Sequence, residues 1–164
     1  MTAYMTSPVG TVRITGDDAG VSVIACLNEP AESTSPDNLP EPVQQAIAQL
    51  TEYFAGTRQT FDFKLNPAGT PFQQRVWHAL LEVPFGTSLS YLTLARRLGD
   101  EKAIRAVAAA NGKNPLWIVV PCHRIIGSDG SLTGYAGGLW RKQWLLEHEG
   151  IASGKAAPGQ MRLF

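Results

Sequence analysis

Ile118-Val119-Val120-Pro121-Cys122-His123-Arg124-Ile125-Ile126-Gly127 constrains this chain more than any other stretch. Two apolar, β-branched runs flank it, and burial of both is favourable. The first run stops at proline, and the second at glycine. A buried, strand-like segment therefore has to carry a thiol directly against two basic side chains. A thiolate is the nucleophilic form of cysteine, and a neighbouring base or cation favours it. A structural core cysteine is the plainer reading, because free Cys is often buried. A core cysteine has no use for the adjacent Pro, His and Arg, so the nucleophile reading is preferred.

A chain of 164 residues suits one domain, or one domain with a smaller partner. With 17% charged and 44% hydrophobic residues it reads as globular rather than disordered. No apolar run approaches the roughly 18 residues of a membrane span, and Met1-Thr2-Ala3-Tyr4-Met5 has no signal-peptide pattern. A cytoplasmic protein without a membrane partner is expected. Cys26 and Cys122 are the two cysteines, and a reducing compartment leaves both as free thiols. Neither CxxC nor HxxxH spacing occurs, so no metal is expected. Cys26 sits in the apolar run Val21 to Leu27 and reads as core filler.

The formal net charge of +0 predicts no polyanionic partner. Its distribution is more informative. Residues 1–69 hold three Lys/Arg against eight acids, and residues 70–150 hold nine against six. A polyanion would dock on the rear half.

Turn signals at Ser7-Pro8-Val9-Gly10 and at Gly16 to Gly20 divide residues 3–28 into three short strands. Residues 28–40 read as loop. Pro42 opens a helix to about Ala55, with Val43, Ile47, Leu50 and Phe54 on its apolar face and Gly56 as its stop. Phe61 and Phe63 alternate with polar neighbours and predict another strand. Asn66-Pro67-Ala68-Gly69 is the expected boundary between a small sheet-and-helix domain, 1–69, and a second domain, 70–150. Residues 151–164 are expected to form a tail.

In the second domain, Thr70, Pro71 and Gln73 spell a capping box for a helix to about Glu82. Ser90 caps a short helix, Tyr91 to Leu98, and Asp100 caps the next, Ala103 to about Asn111. Two short helices joined by a glycine turn are a helix-turn-helix signature, although an ordinary helical hairpin has the same spacing. Lys102-Ala103-Ile104-Arg105-Ala106-Val107-Ala108-Ala109-Ala110 has five alanines around one arginine. So slim a helix fits a DNA groove, or packs closely in a core. Ile104 and Val107 are assigned to the core side. Gly127 to Ser131 reads as a turn, Thr133 to Gly138 as a glycine-rich loop, and Leu139 to Glu149 as the last helix, with Trp140, Trp144 and Leu145 as core residues.

Cys122, His123 and a carboxylate make the chemical set. Glu147 and Glu149 are the nearest acidic candidates. In a Cys–His–Glu relay the histidine takes the thiol proton while the carboxylate fixes its tautomer. Adjacent side chains on an extended segment point apart, so the relay needs a turn or a bridging water. His78 and His148 lie in helical patterns and read as surface or satisfied residues.

Pro121-Cys122-His123-Arg124 resembles the active-site motif of the O6-alkylguanine–DNA alkyltransferases. The resemblance extends through Ser90-Tyr91, Leu94-Ala95, Arg105-Ala106-Val107, Asn114-Pro115, Thr133-Gly134-Tyr135-Ala136-Gly137-Gly138 and Trp144 to Gly150, in family order. It implies an α+β fold, with a small N-terminal sheet-and-helix domain and a winged-helix-like helix-turn-helix domain behind it. It implies single-turnover transfer of an alkyl group from O6 of guanine, and from O4 of thymine, in double-stranded DNA to Cys122.

By the same resemblance His123 is the water-mediated base, Glu149 its orienter, and Asn114 the residue that holds the active-site turn. Tyr91, Lys102, Arg105, Ala106 and Arg124 would bind DNA, with Arg105 filling the stack left by a flipped base. Tyr135, Ala136 and Gly137 would line the base pocket, and no cofactor is needed. A monomer, cooperative on DNA, is the expected form. Ala136 stands where some relatives have serine, which removes one hydrogen bond to the base. Three rivals are a non-catalytic damage binder, which lacks the cysteine, a winged-helix regulator, which reads the major groove, and a thiol hydrolase, which turns over.

Overall fold

A computed structural model describes residues 1–132 and 135–151. Thr133, Gly134 and the tail 152–164 lie outside the described residues. The chain divides into two compact units. One comprises Met1–Ala68 with Pro115–Val119, and the other Gly69–Asn114 with the described residues from Val120 onward.

The first unit is an antiparallel meander under one helix. Strands β1 (Thr2–Ser7), β2 (Gly10–Asp17) and β3 (Gly20–Leu27) pair in that order. Alternation of apolar and polar residues puts Ala3, Met5, Val12, Ile14, Ile24 and Cys26 on a buried face. Helix α1 (Glu41–Ala55) carries Pro42 in its first turn and ends at Gly56, whose φ of 84° favours glycine. Its buried stripe is Val43, Ala46, Leu50 and Tyr53, so Ile47 and Phe54 flank the contact face rather than centre it.

The strand expected at Phe61–Phe63 does not form. Leu65 makes a single bridge to Val21, while Phe61 packs its ring on Tyr53 at 5.6 Å and on Phe63 at 6.1 Å. The alternation there reflects ring packing, not a ladder. Leu116 bridges Ile24, which brings 115–119 into this unit.

The second unit is helical. Helix α2 (Pro71–Leu81) has the full capping box: Gln73 N donates to Thr70 Oγ1 at 3.1 Å, and Thr70 N to Gln73 Oε1 at 2.9 Å. A Cβ on Gly69 would lie 2.5 Å from the Trp77 ring, so only glycine fits beneath it. Helix α3 (Tyr91–Arg97) starts from Ser90, whose hydroxyl accepts from Thr93 N at 3.0 Å. Asp100 caps a 3-10 turn, Glu101–Ala103, which feeds α4 (Ile104–Gly112). Trp77 Nε1 donates to Ala110 O at 2.9 Å in the core between α2 and α4. Small side chains on α4 are what let the indole reach that carbonyl.

Two short segments position the site. Leu89–Ser90 (β4) and Ile125–Ile126 (β5) pair in parallel, tying the start of α3 to the chain just past Arg124. Helix α5 (Leu139–His148) follows the Tyr135–Gly138 turn. Leu145 and Leu146 are buried, but Trp140, expected in the core, is 52% exposed. Trp144 is half-buried, with its ring stacked on His148 at 4.8 Å.

Candidate active site

The segment before Cys122 is not the strand its β-branched residues suggest. Val119 N donates to Trp117 O at 2.8 Å and Cys122 N to Val120 O at 2.7 Å, two bonds that skip a single residue. Ile118 sits at the centre of the first, with φ of 74°. A β-branched residue at positive φ is strained, by about 1–3 kcal/mol. Pro121, at φ −81° and ψ 63°, centres the second in the relaxed form of this turn. The chain then enters a 3-10 turn, Cys122–Arg124. Tight turning replaces extension, so consecutive side chains no longer point to opposite faces.

Asn114 Nδ2 donates to Val120 O at 2.8 Å and fixes the entry to this turn. The Cys122 thiol is buried, and burial raises its pKa above the ordinary value. Hydrogen bonds from the side chains of Asn114 and Tyr135 and the charge of Lys142 work in the opposite direction. The resting group is a thiol, surrounded by what a thiolate needs.

His123 is fully buried. Its Nε2 lies 2.7 Å from Glu149 Oε2. Glu149 also takes Arg124 Nε at 2.7 Å and Arg124 Nη2 at 3.1 Å, while Arg124 Nη1 donates to Val83 O at 2.6 Å. Burial pushes the Glu149 carboxyl up, but the hydrogen bonds and charges of His123 and Arg124 outweigh it and hold the group at about 2. It is therefore ionised and can only accept, so His123 carries its proton on Nε2. Nδ1 is left as the basic nitrogen, and it has no protein partner among the described residues. Burial lowers the His123 pKa despite Glu149, with Arg124 and Lys142 adding to the fall, so the ring is neutral and able to accept a proton.

Lys142 completes the set. It is fully buried, donates from Nζ to Ile125 O at 2.6 Å, and lies 5.9 Å from the Tyr91 ring centroid. Burial lowers its pKa to about 8, against the pull of Cys122. The arrangement is a buried nucleophile with a neutral base, an anchored carboxylate and a buried cation. It can remove a thiol proton and hold the resulting negative charge in a dry site.

Residues 71–151 match the family described as 6-O-methylguanine DNA methyltransferase, DNA binding domain, and residues 1–67 the one described as 6-O-methylguanine DNA methyltransferase, ribonuclease-like domain. The methylated-DNA–protein-cysteine methyltransferase of Methanosarcina acetivorans is 44% identical over 151 residues, which span 90% of this chain and 97% of its own. That of Mycobacterium bovis is 43% identical over 160 residues, spanning 96% and 94%. The chain belongs to the methylated-DNA–protein-cysteine methyltransferase family. The crystal structure of Mycobacterium tuberculosis OGT in complex with DNA aligns with a TM-score of 0.80 at 43% identity, covering 91% of this chain and 92% of that one. The mixed α/β architecture, with a small N-terminal sheet domain and a helical DNA-binding domain, is that of this methyltransferase family.

Against that family frame the residues singled out from sequence fall into three groups. Asn114 and Tyr135 reach the Cys122 thiol, while His123, next to Cys122 in the same turn, pairs with Glu149. Lys102, Arg105 and Ala106 are exposed along the 3-10 turn and the start of α4, while Tyr91 is half-buried at the start of α3. Ala136 is exposed and Gly137 buried in the turn before α5.

Arg124 departs from expectation. It is buried at 5% exposure and spent on Glu149 and Val83, so its guanidinium anchors the carboxylate instead of meeting DNA. Glu147, the other acidic candidate, is exposed. Sequence reasoning missed Lys142. A signal was present: Lys142, Leu145, Leu146 and Glu149 follow i, i+3, i+4, i+7, so the lysine shares the buried stripe of its helix.

Proposed function

We propose that Cys122 accepts the alkyl group of O6-alkylguanine, and of O4-alkylthymine, in double-stranded DNA, once per molecule. The observation that carries this reading is the buried Cys122 beside a His123 whose Nε2 is locked to an ionised Glu149 and whose Nδ1 has no partner among the described residues. In the reaction, Nδ1 takes the thiol proton through a water molecule. The thiolate attacks the alkyl carbon, a carbon–sulfur bond forms and the carbon–O6 bond breaks. The bond's electrons go to the base, which leaves as its anion and takes up the proton. A thioether remains, with no leaving group to restore the thiol.

The target atom lies within a base stack, so the nucleotide is flipped out before transfer. Helix α4 suits entry from the minor groove, because Arg105 and Ala106 are exposed on a helix otherwise rich in alanine. Arg105 fills the vacated stack, Tyr91 and Lys102 meet the backbone, and Tyr135, Ala136 and Gly137 line the base pocket. The protein acts as a monomer.

The test is intact mass after incubation with a duplex oligonucleotide bearing O6-methylguanine. One methyl group is gained per chain, localised to Cys122, with product never exceeding protein in molar amount. Turnover beyond one equivalent, or transfer that survives Cys122→Ala, defeats the reading.

A further inference from the structure

Arg141 and Lys142 occupy the first turn of α5, where the helix dipole favours anions, and both are buried, at 4% and 0% exposure. Their hydrogen bonds run to two different segments. Lys142 Nζ grips Ile125 O, just past the nucleophile turn, and Arg141 Nη1 donates to Gly137 O at 2.9 Å, in the loop that precedes the helix. The Arg141 guanidinium also lies 4.6 Å over the Trp140 ring centroid. Trp140 in turn packs against the loop: a Cβ on Gly138, already at φ +92°, would sit 3.4 Å from Trp140 Cδ1. Gly138 N donates to Tyr135 O at 2.8 Å and closes the turn.

Ala136-Gly137-Gly138 would otherwise be loose. Ordering backbone costs conformational entropy, and most where glycine supplies it. A loop ordered during folding does not have to be ordered when ligand binds. Nothing in the transfer chemistry above requires Arg141 or Trp140, yet one is buried at a desolvation cost and the other leaves half an indole in water.

We infer that Arg141, its guanidinium over the Trp140 ring, is a positioning residue that pre-orders the Tyr135–Gly138 loop for the purine-bearing substrate, and so governs substrate affinity rather than the transfer step. The inference rests on the reading that this loop lines the base pocket.

The full chain is tested with O6-benzylguanine as the free base, following benzyl uptake at Cys122 by intact mass across a concentration series. Reaction with iodoacetamide reports separately on the thiol. In Arg141→Met the half-saturating concentration rises about tenfold, as expected for loss of the charged hydrogen bond to Gly137, while the saturated rate and the iodoacetamide rate stay within about twofold. Arg141→Lys falls between Arg141→Met and the parent. Trp140→Ala, an exposed position, shifts the half-saturating concentration about threefold in the same direction. Unchanged half-saturation in both Arg141→Met and Trp140→Ala overturns the inference, and so does a saturated rate that falls together with the iodoacetamide rate. Failure of the parent protein to take up benzyl at all overturns the functional reading itself, a separate outcome.

Discussion

Glu149 is where the site's chemistry and the unit's stability meet. One carboxylate receives His123 from one side and a two-pronged Arg124 from the other, all out of water. Its folded pKa of about 2 lies below the ordinary 4.5. A depressed carboxylate contributes stability that is fully present above its unfolded pKa and is lost as pH falls through its folded one. Denaturant melts should therefore show stability falling between about pH 4.5 and 2. Glu149→Gln should flatten that slope and cost about 3–5 kcal/mol at neutral pH, because Arg124 is left buried without its counter-charge. It should also slow alkyl transfer, since an amide can present its NH2 to Nε2 and move the imidazole proton to Nδ1, blocking the base. A variant that keeps the parent's acid slope would show that the pairing does not persist in solution. Cys122 and His123 stood out in the sequence, and Glu149 was one of two acidic candidates there. The role of Arg124 was not legible there: the family resemblance assigned it to DNA, while its partner in the fold lies 25 residues downstream.

At the scale of elements, α4 does two jobs with one composition. Val107 and Ala110 are buried, and Ala110 offers its carbonyl to Trp77, while Arg105 and Ala106 face water. Sequence left open whether the alanines served a groove or a core, and the helix buries Ala110 while leaving Ala106 and Ala109 in water. If Arg105 replaces a flipped base, Arg105→Ala should slow transfer from duplex DNA by roughly 10²-fold, the order of a few kcal/mol of unstacking. The same variant should react with free O6-benzylguanine within about twofold of the parent, because no stack is opened there. Equal losses on duplex and free base would place Arg105 in the fold or the chemistry instead. The segment 118–120 shows the converse. Its composition favours a strand, and burial of all three residues is satisfied, but the bonds from Val119 and Cys122 turn the chain tightly on either side of Val120. Propensity sets what is buried there; the hydrogen bonds set the shape.

Across the whole molecule, charge is sorted by unit and by depth. Of the nine Lys/Arg in residues 70–150, Arg124, Arg141 and Lys142 are buried, which leaves Arg75, Arg96, Arg97, Lys102, Arg105 and Lys113 exposed. Arg96 already pairs with Glu101 at 2.9 Å. Each phosphate contact releases counterions worth a log–log salt slope of about −0.9, so these six allow a slope no steeper than about −5. Titrating binding to an undamaged duplex across a range of salt concentrations checks this, with weak dependence on sequence expected. A steeper slope would require cations outside this set, among them Lys155 and Arg162 of the tail.

By itself the sequence determined the identities that chemistry needs and the local rules that place them: the thiol beside an imidazole, the capping box at Thr70, the meander's alternation, and the short helices around Gly99. These depend on neighbours within a few residues, where spacing alone carries the information. Only the tertiary structure decided which distant groups meet. It bent 118–122 into turns, spent Arg124 on Glu149, buried Lys142 next to the thiol and set Arg141 on Gly137. The physical reason is that a buried charge or polar group is tolerable only against a matching partner, and which partner arrives depends on how elements far apart in sequence pack.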